Sequence, residues 1–405
     1  IVLDSHNYGD YSNFPEVKDY GNGIKVGEIP QVDHTYRYFH SRYSFMNEKG
    51  LAIGESTFGQ GNRSTEYGKE VRKVLTSQDG IIDCWMAQDI ALERASTARE
   101  AVEIMGNLVE EHGWYGAGEI MDITDGDEVW IAEFYGGDLW VAVRMPDDHI
   151  FVGANRARIR DVDFEDEENV MYSPNLINFA VEQGWWSPES GEPFRPADVY
   201  APRPDGYCNL REWRVIDLVA PSLEIEPGQK HYPLFVKPDK PVSVHDIFKI
   251  SGDYYKGTEF DLTEGPGAGP FGDPLANYRL GDRQRPIGIP LTCYVHIGQV
   301  KEWLPDPIKG VSWYGYGAVD TSYITPLWPF MEELPNFYQT GSRYEDFSRD
   351  SGWWVNTYVQ EMTRLRYDKA IQDLYNFRDP KLERIYEVVP IVQEMAAEAY
   401  KNDPE

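Results

Sequence analysis

Cysteine is scarce in this chain of 405 residues, and the three that occur, Cys84, Cys208 and Cys293, lie far apart. An odd number of widely spaced cysteines provides neither a disulfide framework nor the paired spacing of a zinc site. A free cysteine inside a protein is usually a small packing residue, so we expect all three to have packing roles.

Positive charge is also in short supply. The chain has 38 lysines and arginines against 68 acidic residues, a formal charge of −30. Nucleic acids and anionic membranes both select clustered basic residues. No apolar run approaches the roughly 20 residues that cross a bilayer, and the opening residues IVLDSHNYGD lack the basic and apolar parts of a leader peptide. We therefore expect no nucleic-acid partner and no membrane insertion.

Familiar catalytic motifs are missing as well. The sequence has no GxSxG elbow, no HExxH, no phosphate loop and no GxGxxG between a strand and a helix. Residues 161–168 hold six carboxylates, but they lack the glycine turn of a calcium loop, so a solvated acidic surface is the better interpretation. We assign no metal and no cofactor.

Residues 128–158 contain the strongest strand pattern. Three apolar and aromatic runs, 129–135, 139–145 and 149–154, are separated by Gly-Gly-Asp and Pro-Asp-Asp, which predicts an antiparallel meander. Asn155 and the arginines after it follow the third run, where a strand end can present hydrogen-bond donors to developing negative charge. An ordinary solvated strand end is the alternative.

The segment before this meander combines a hairpin with helices. Residues 35–58 alternate aromatic with polar side chains and turn at 47–50, which predicts a hairpin. Helical spacing follows over 89–95 and again up to 111, with Ser96 or Thr97 as a cap. Helices that cover one face of a sheet indicate a layered α/β sandwich.

The second half of the chain places two arginines, Arg211 and Arg214, in the otherwise apolar segment LREWRVIDL. An arginine in such a segment either pairs with a carboxylate or faces a site. Further on, the patterns predict strands over 288–299 and 310–316 and helices over 344–400, with a break before Pro380.

Seven segments in series resemble one family, the dipeptidase A family of N-terminal-nucleophile cysteine peptidases, which includes the secernins. These segments are residues 27–57, 90–105, 118–136, 151–159, 207–223, 255–274 and 304–326. No single motif is decisive, but the series spans nearly the whole chain.

The resemblance implies an α+β fold, a four-layer αββα sandwich with a mostly helical C-terminal part. Residues 1–230 would form the αββα core without its first strand. Residues 231–405 would add an excursion, the remaining core strands and the C-terminal helices to the same domain.

The resemblance also implies hydrolysis of a dipeptide or another small amide. In such enzymes the first residue of the mature chain is a cysteine whose thiolate attacks the carbonyl while its own α-amine acts as the base. Asn155 matches the amide that helps to form the oxyanion hole. Arg211 resembles the arginine beside the nucleophile, where a guanidinium would lower the thiol pKa.

Four further residues are candidates for substrate binding by the same resemblance. Glu55 and Thr57 follow the predicted hairpin where related acylases place a polar donor, although Thr57 stands where asparagine is usual. Arg156 follows Asn155, and Arg214 is the alternative to Arg211.

The chain departs from the family at its start, because residue 1 is isoleucine. We expect the nucleophilic cysteine to lie upstream of Ile1, since an internal cysteine has no free α-amine to act as base. An acyl-amide hydrolase of the same fold and a non-catalytic structural or binding protein are the alternatives. The resemblance further favours a homo-oligomer outside the cytoplasm, with a cytoplasmic location as the alternative.

Overall fold

The computed structural model describes residues 2–4, 25–76, 80–202, 208–280, 285–289, 291–341 and 344–403. The chain divides into two compact units. Unit 1 comprises Ile1–Asp205 and Pro233–Val236, and unit 2 comprises Gly206–Tyr232 and Lys237–Glu405. That residues 1–230 and 231–405 form a single domain stays a prediction.

Unit 1 mixes antiparallel strands with helices. Its strands are β1 (Val2–Asp4), β2 (Lys25–Glu28), β3 (Ala52–Phe58), β4 (Gly118–Thr124), β5 (Val129–Gly136), β6 (Leu139–Arg144), β7 (Ile150–Phe151), β8 (Val170–Tyr172) and β9 (Phe235–Val236). Its α-helices are α1 (Glu66–Leu75), α2 (Cys84–Arg94), α3 (Ala98–His112), α4 (Leu176–Glu182) and α5 (Pro196–Tyr200).

The centre of unit 1 is a five-stranded antiparallel sheet in the order β3-β4-β5-β6-β8. Alternate residues of its strands point to opposite faces. One face packs on α2 and α3 through side chains such as Met121 and Ala132. The other face packs on α1, α4 and α5 through side chains such as Ile120 and Val141. The sheet is therefore covered on both faces, and polar groups inside it need partners from the protein.

The two helices predicted over 89–95 and up to 111 are confirmed as α2 and α3. They could be predicted because their sequence signals are local. Thr97 caps α3 in a capping box, in which its side chain accepts from the Glu100 N–H and the Glu100 carboxylate accepts from the Thr97 N–H. Gly106 of α3 lies against the ring of Trp140 in β6. A Cβ atom at residue 106 would lie 2.3 Å from Cζ2 of Trp140, so only glycine allows this close approach.

Replacing Gly106 by alanine is expected to destabilise the protein by about 1–3 kcal/mol, because the added methyl group overpacks the core. Helix propensity favours alanine by up to about 1 kcal/mol, which offsets part of this cost. Chemical denaturation measures the difference, with Asn107→Ala at the exposed neighbouring position as the control. A Gly106→Ala protein as stable as its control would contradict the packing against Trp140.

Two strand predictions in unit 1 need correction. The third run of the predicted meander forms a strand only at Ile150–Phe151, and it pairs with Phe235–Val236 instead of β6. The turn at 47–50 is confirmed by a hydrogen bond from the Gly50 N–H to the Asn47 carbonyl. The first arm of that hairpin makes only isolated bridges, and β3 takes β4 as its partner. Alternation predicts a strand but not its partner.

Unit 2 contains a three-stranded antiparallel sheet and most of the remaining helices. Its sheet has the order β10 (Tyr294–Val300), β11 (Gly310–Tyr316), β12 (Thr325–Leu327). Its α-helices are α6 (Asn209–Val219), α7 (Val244–Ser251), α8 (Pro274–Leu280), α9 (Asp306–Lys309), α10 (Asn336–Gln339), α11 (Gly352–Arg364) and α12 (Tyr367–Asn402). The predicted strand over 310–316 is confirmed, whereas the one over 288–299 begins only at Tyr294.

The predicted helix break before Pro380 is wrong. α12 continues through Pro380 and Pro390 for 36 residues. An interior proline costs roughly 3 kcal/mol through a lost hydrogen bond and a steric clash. Two contacts offset this cost: the Arg378 guanidinium donates to the carbonyls of Asp320 and Ser322 at 2.6 and 3.0 Å, and Leu382 and Val389 are buried in the unit 2 core. No helix among the described residues is long and apolar enough to cross a membrane.

Candidate active site

Asn155 lies in the loop after β7 and contacts the strand β3. Its backbone N–H donates to the Ser56 hydroxyl at 3.0 Å, and its side-chain Nδ2 donates to the Thr57 carbonyl at 2.8 Å. Its φ of 58° is in the left-handed region, which asparagine tolerates better than most residues. The amide group carries two N–H donors, so the bond to Thr57 also fixes the direction of the second one. The structure thus holds a hydrogen-bond donor in a defined orientation beside β3.

The loop after Asn155 is anchored on β5 by Glu133, a residue that the sequence analysis missed. Glu133 is fully buried, and its Oε1 accepts from the backbone N–H groups of Arg158 and Ile159, the latter at 3.0 Å. Its Oε2 accepts from the Tyr135 hydroxyl at 2.6 Å. Burial raises the pKa of Glu133 to about 7. A single carboxylate in the apolar strand VWIAEFYG was the signal that could have identified it.

The arginines of this loop have buried guanidinium groups. Arg156, predicted to bind substrate, is 5% exposed and directly follows Asn155 in the chain. Arg158 donates to the carbonyls of Val152 and Pro233 at 2.8 and 2.7 Å, so it holds this loop against the segment that precedes β9. Arg158 therefore has a structural role, while substrate binding by Arg156 stays a prediction.

Glu55 and Thr57 lie on β3 on either side of Ser56, whose hydroxyl accepts from the Asn155 N–H; substrate binding by their side chains stays a prediction. Both side chains face α2 and α3, and Thr57 lies directly opposite Glu119 of β4. The carboxyl of Glu119 lies beside the side chains of Glu55 and Thr57 on the same face of the sheet. Burial and the neighbouring Glu55 carboxyl raise the pKa of Glu119 far above its usual range. Glu119 is a second residue that the sequence analysis missed.

Cys84 lies at the start of α2, close to this group of carboxyls. Burial, followed by the negative charges of Glu119, Asp83 and Glu55, raises the pKa of its thiol far above the usual range. A neutral thiol is a poor nucleophile. These surroundings agree with the packing role expected for Cys84.

The two predicted arginines of unit 2 lie on α6 and differ in their contacts. The Arg214 guanidinium forms a bidentate ion pair with Asp253 at 2.9 and 3.0 Å, and it also donates to Asp217 and to the Lys256 carbonyl, each at 2.9 Å. These bonds use four of its five N–H donors. Arg211 is 8% exposed and lies near the ring of Tyr255. The catalytic role of Arg211, with Arg214 as the alternative, stays a prediction.

The site contains hydrogen-bond donors and buried carboxyls but no evident metal ligand set. No group of three His, Cys, Asp or Glu side chains in the described part of the chain could hold a metal ion. The predicted residues Glu55, Thr57, Asn155 and Arg156 all belong to unit 1, whereas Arg211 and Arg214 belong to unit 2. Fixed N–H donors of the kind seen at Asn155 suit a reaction that develops an oxyanion.

Comparison with known proteins shows which family the sequence matches. The model of peptidase family C69 matches residues 20–379. A probable dipeptidase of Salmonella dublin is 30% identical over 321 residues, covering 77% of this chain and 70% of that protein. Probable dipeptidase B of Streptococcus pyogenes serotype M1 is 25% identical over 85% of this chain and 69% of its own length. The dipeptidase of Bifidobacterium longum is 27% identical over 67% of this chain and 51% of its own.

These matches confirm the family resemblance seen in the seven sequence segments. The chain spans between about half and seven tenths of the length of these relatives. The family match covers residues of both units and most of the chain. The protein belongs to peptidase family C69.

Proposed function

We propose that this protein is a thiol-dependent dipeptidase with the N-terminal-nucleophile fold, the αββα sandwich, and that Asn155 is an oxyanion donor. The observation that carries the proposal is the fixed amide of Asn155, whose Nδ2 is held by the Thr57 carbonyl at 2.8 Å. Membership of peptidase family C69 and the dipeptidase names of its relatives support it.

The proposed reaction begins with a cysteine that precedes Ile1 in the full-length protein. Its α-amine takes the thiol proton, and the thiolate forms a bond to the carbonyl carbon of the dipeptide. The carbonyl oxygen becomes an oxyanion that accepts from the Asn155 amide. Collapse of this intermediate breaks the C–N bond, and the ammonium returns the proton to the leaving amine. Water then hydrolyses the thioester and restores the thiol.

Arg211 is the residue that we assign to activation of the thiol. Its guanidinium is buried, and a buried positive charge favours the thiolate more strongly than one in water. The four donated hydrogen bonds of Arg214 suit it to holding α6 on Asp253. Activity of Arg211→Lys and Arg214→Lys proteins would separate these roles.

The direct test is intact mass and N-terminal sequencing of the full-length protein, followed by assays with dipeptides and with N-acyl amino acids. A mature chain with an N-terminal cysteine that hydrolyses dipeptides would support the proposal. Cleavage of N-acyl amino acids alone would favour an acyl-amide hydrolase. A mature chain that lacks such a cysteine and cleaves neither substrate would favour a non-catalytic role.

We also propose that the protein is a homo-oligomer and acts outside the cytoplasm. Four apolar side chains, Val355, Tyr358, Met362 and Leu365, are exposed at helical spacing along and just after α11. Such a contiguous apolar surface is typical of a protein contact. Light scattering of the purified protein measures the oligomeric state, and fractionation of the source cells measures the location.

A further inference from the structure

Two carboxyl side chains meet on adjacent strands of the unit 1 sheet. Glu55 of β3 and Glu119 of β4 project from the same face of the sheet, and their carboxyl groups lie close enough to influence each other's ionisation. Glu55 Oε2 and Glu119 Oε1 are both buried, and no N–H or O–H group of another described residue reaches either atom. A hydrogen bond between two carboxyl groups requires a proton on one of them.

The second contact of Glu119 leads to Asn155. Thr57 lies directly across from Glu119 in the neighbouring strand, and its side chain lies beside the Glu119 carboxyl group. The carbonyl of the same Thr57 accepts from Nδ2 of Asn155 at 2.8 Å. Glu119 and the proposed oxyanion donor therefore both lie against Thr57, Glu119 beside its side chain and Asn155 at its carbonyl.

The surroundings of this pair strongly disfavour a second negative charge. Glu119 is 2% exposed. Two carboxylates in contact at a site without water repel each other, so such pairs keep one proton at neutral pH. The titratable and charged groups around the pair are Tyr43 from the segment before β3, Asp83 and Cys84 from α2, Arg42 beside Asp83 and, on the opposite face of β4, Asp122.

We infer that Glu55 and Glu119 share one proton across β3 and β4, and that this pair fixes Thr57 and, through the Thr57 carbonyl, the amide of Asn155. Both carboxyl groups are positioning residues in this scheme, since the contacts described above run through Thr57. The evidence for the shared proton is the placement of the two carboxyl groups on the same face of β3 and β4. Its importance for catalysis rests on the proposed function.

The shared proton can be counted through the pH dependence of unfolding. Glu119→Gln keeps a donor for Glu55 and an acceptor for Thr57 but takes up no proton. Folding of the wild type takes up one proton more than folding of Glu119→Gln at neutral pH. Because the folded wild type holds one more proton, its equilibrium constant for unfolding must increase with pH more steeply than that of the variant. The difference is about tenfold per pH unit between about pH 6 and pH 9. Glu111→Gln, whose side chain is 76% exposed, is the matched control and should follow the wild type.

Infrared spectroscopy of the wild-type protein provides a second measurement in case the variant does not fold. The shared proton predicts a carboxylic-acid C=O band that persists at about pH 8.5. Burial raises the pKa values of Asp122 and Glu133 only to about 7, so these two groups contribute little to that band. Parallel unfolding curves for wild type and Glu119→Gln, or a wild-type spectrum without this band, would overturn the shared proton.

The positioning role has its own readout in the full-length enzyme. The kcat of the wild type for a dipeptide should fall at alkaline pH as the pair loses its proton, whereas that of Glu119→Gln should lack this decline. The same alkaline decline in both proteins would refute positioning by the pair. A full-length protein that hydrolyses no dipeptide would refute the proposed function instead, and the unfolding comparison would still decide the shared proton.

Discussion

Replacement of Asn155 by glycine is expected to lower the kcat of the full-length enzyme for a dipeptide by about 10²- to 10³-fold, with a much smaller change in KM. The reason is the loss of an N–H donor that acts on the oxyanion, which typically costs that factor. Glycine adopts the φ of 58° found at residue 155 without strain. The backbone N–H of residue 155 also remains available to the Ser56 hydroxyl, so the loop keeps that contact.

Asn155→Ala separates the loss of the amide from the strain of the backbone. It should lose as much activity as Asn155→Gly, since both lack the amide. The Asn155→Ala protein should also be less stable than Asn155→Gly by about 1–2 kcal/mol. The reason is that a Cβ atom makes the left-handed conformation unfavourable for most residues. Steady-state kinetics and chemical denaturation measure the two effects, with Asn107→Ala as a control for loss of an exposed amide. A folded Asn155→Gly enzyme with the kcat of the wild type would remove Asn155 from the mechanism.

The sequence could propose Asn155 as a site residue but could not predict its partners. A polar residue after an apolar run and a family resemblance both pointed to this position. Ser56 and Thr57, which hold it, are nearly 100 residues earlier in the chain. Such contacts depend on which strands pair and in what register, and alternation of apolar residues is the same for every choice of partner. For the same reason the meander pattern predicts that the third run pairs with β6, although it pairs with β9.

Helices were predicted better than strand pairs because their signals lie within a few residues of each other. The capping box of Thr97 and Glu100 and the apolar spacing of α3 are both readable from one segment. The exception is α12, where contacts with distant parts of unit 2 outweigh the effect of Pro380. Glu119 and Glu133 could be predicted only in part from the sequence. A carboxylate in an apolar strand is a visible signal, but its partner lies on another strand or loop.

Loss of Glu133 is expected to have the largest effect on stability. Glu133→Ala leaves the N–H groups of Arg158 and Ile159 and the Tyr135 hydroxyl without their acceptor in a fully buried position. Each unsatisfied buried group costs about 1–3 kcal/mol, and a cavity adds to this cost. We expect a destabilisation of about 3 kcal/mol or more by chemical denaturation. Glu103→Ala, at an exposed position of α3, is the control and should stay within about 0.5 kcal/mol of the wild type.

Glu133→Gln tests the charge of this residue separately from its shape, because its amide oxygen still accepts from the two N–H groups of the loop. Burial raises the pKa of Glu133 from 4.5 to about 7, so the folded protein binds a proton there that the unfolded chain releases. The stability from this proton is fully present below pH 4.5 and decreases as the pH rises towards 7. The advantage of the wild type over Glu133→Gln should therefore shrink by about 1.4 kcal/mol per pH unit across that window. An advantage that instead grows with pH would mean that Glu133 is held as a carboxylate, stabilised by the N–H groups of the Asn155 loop.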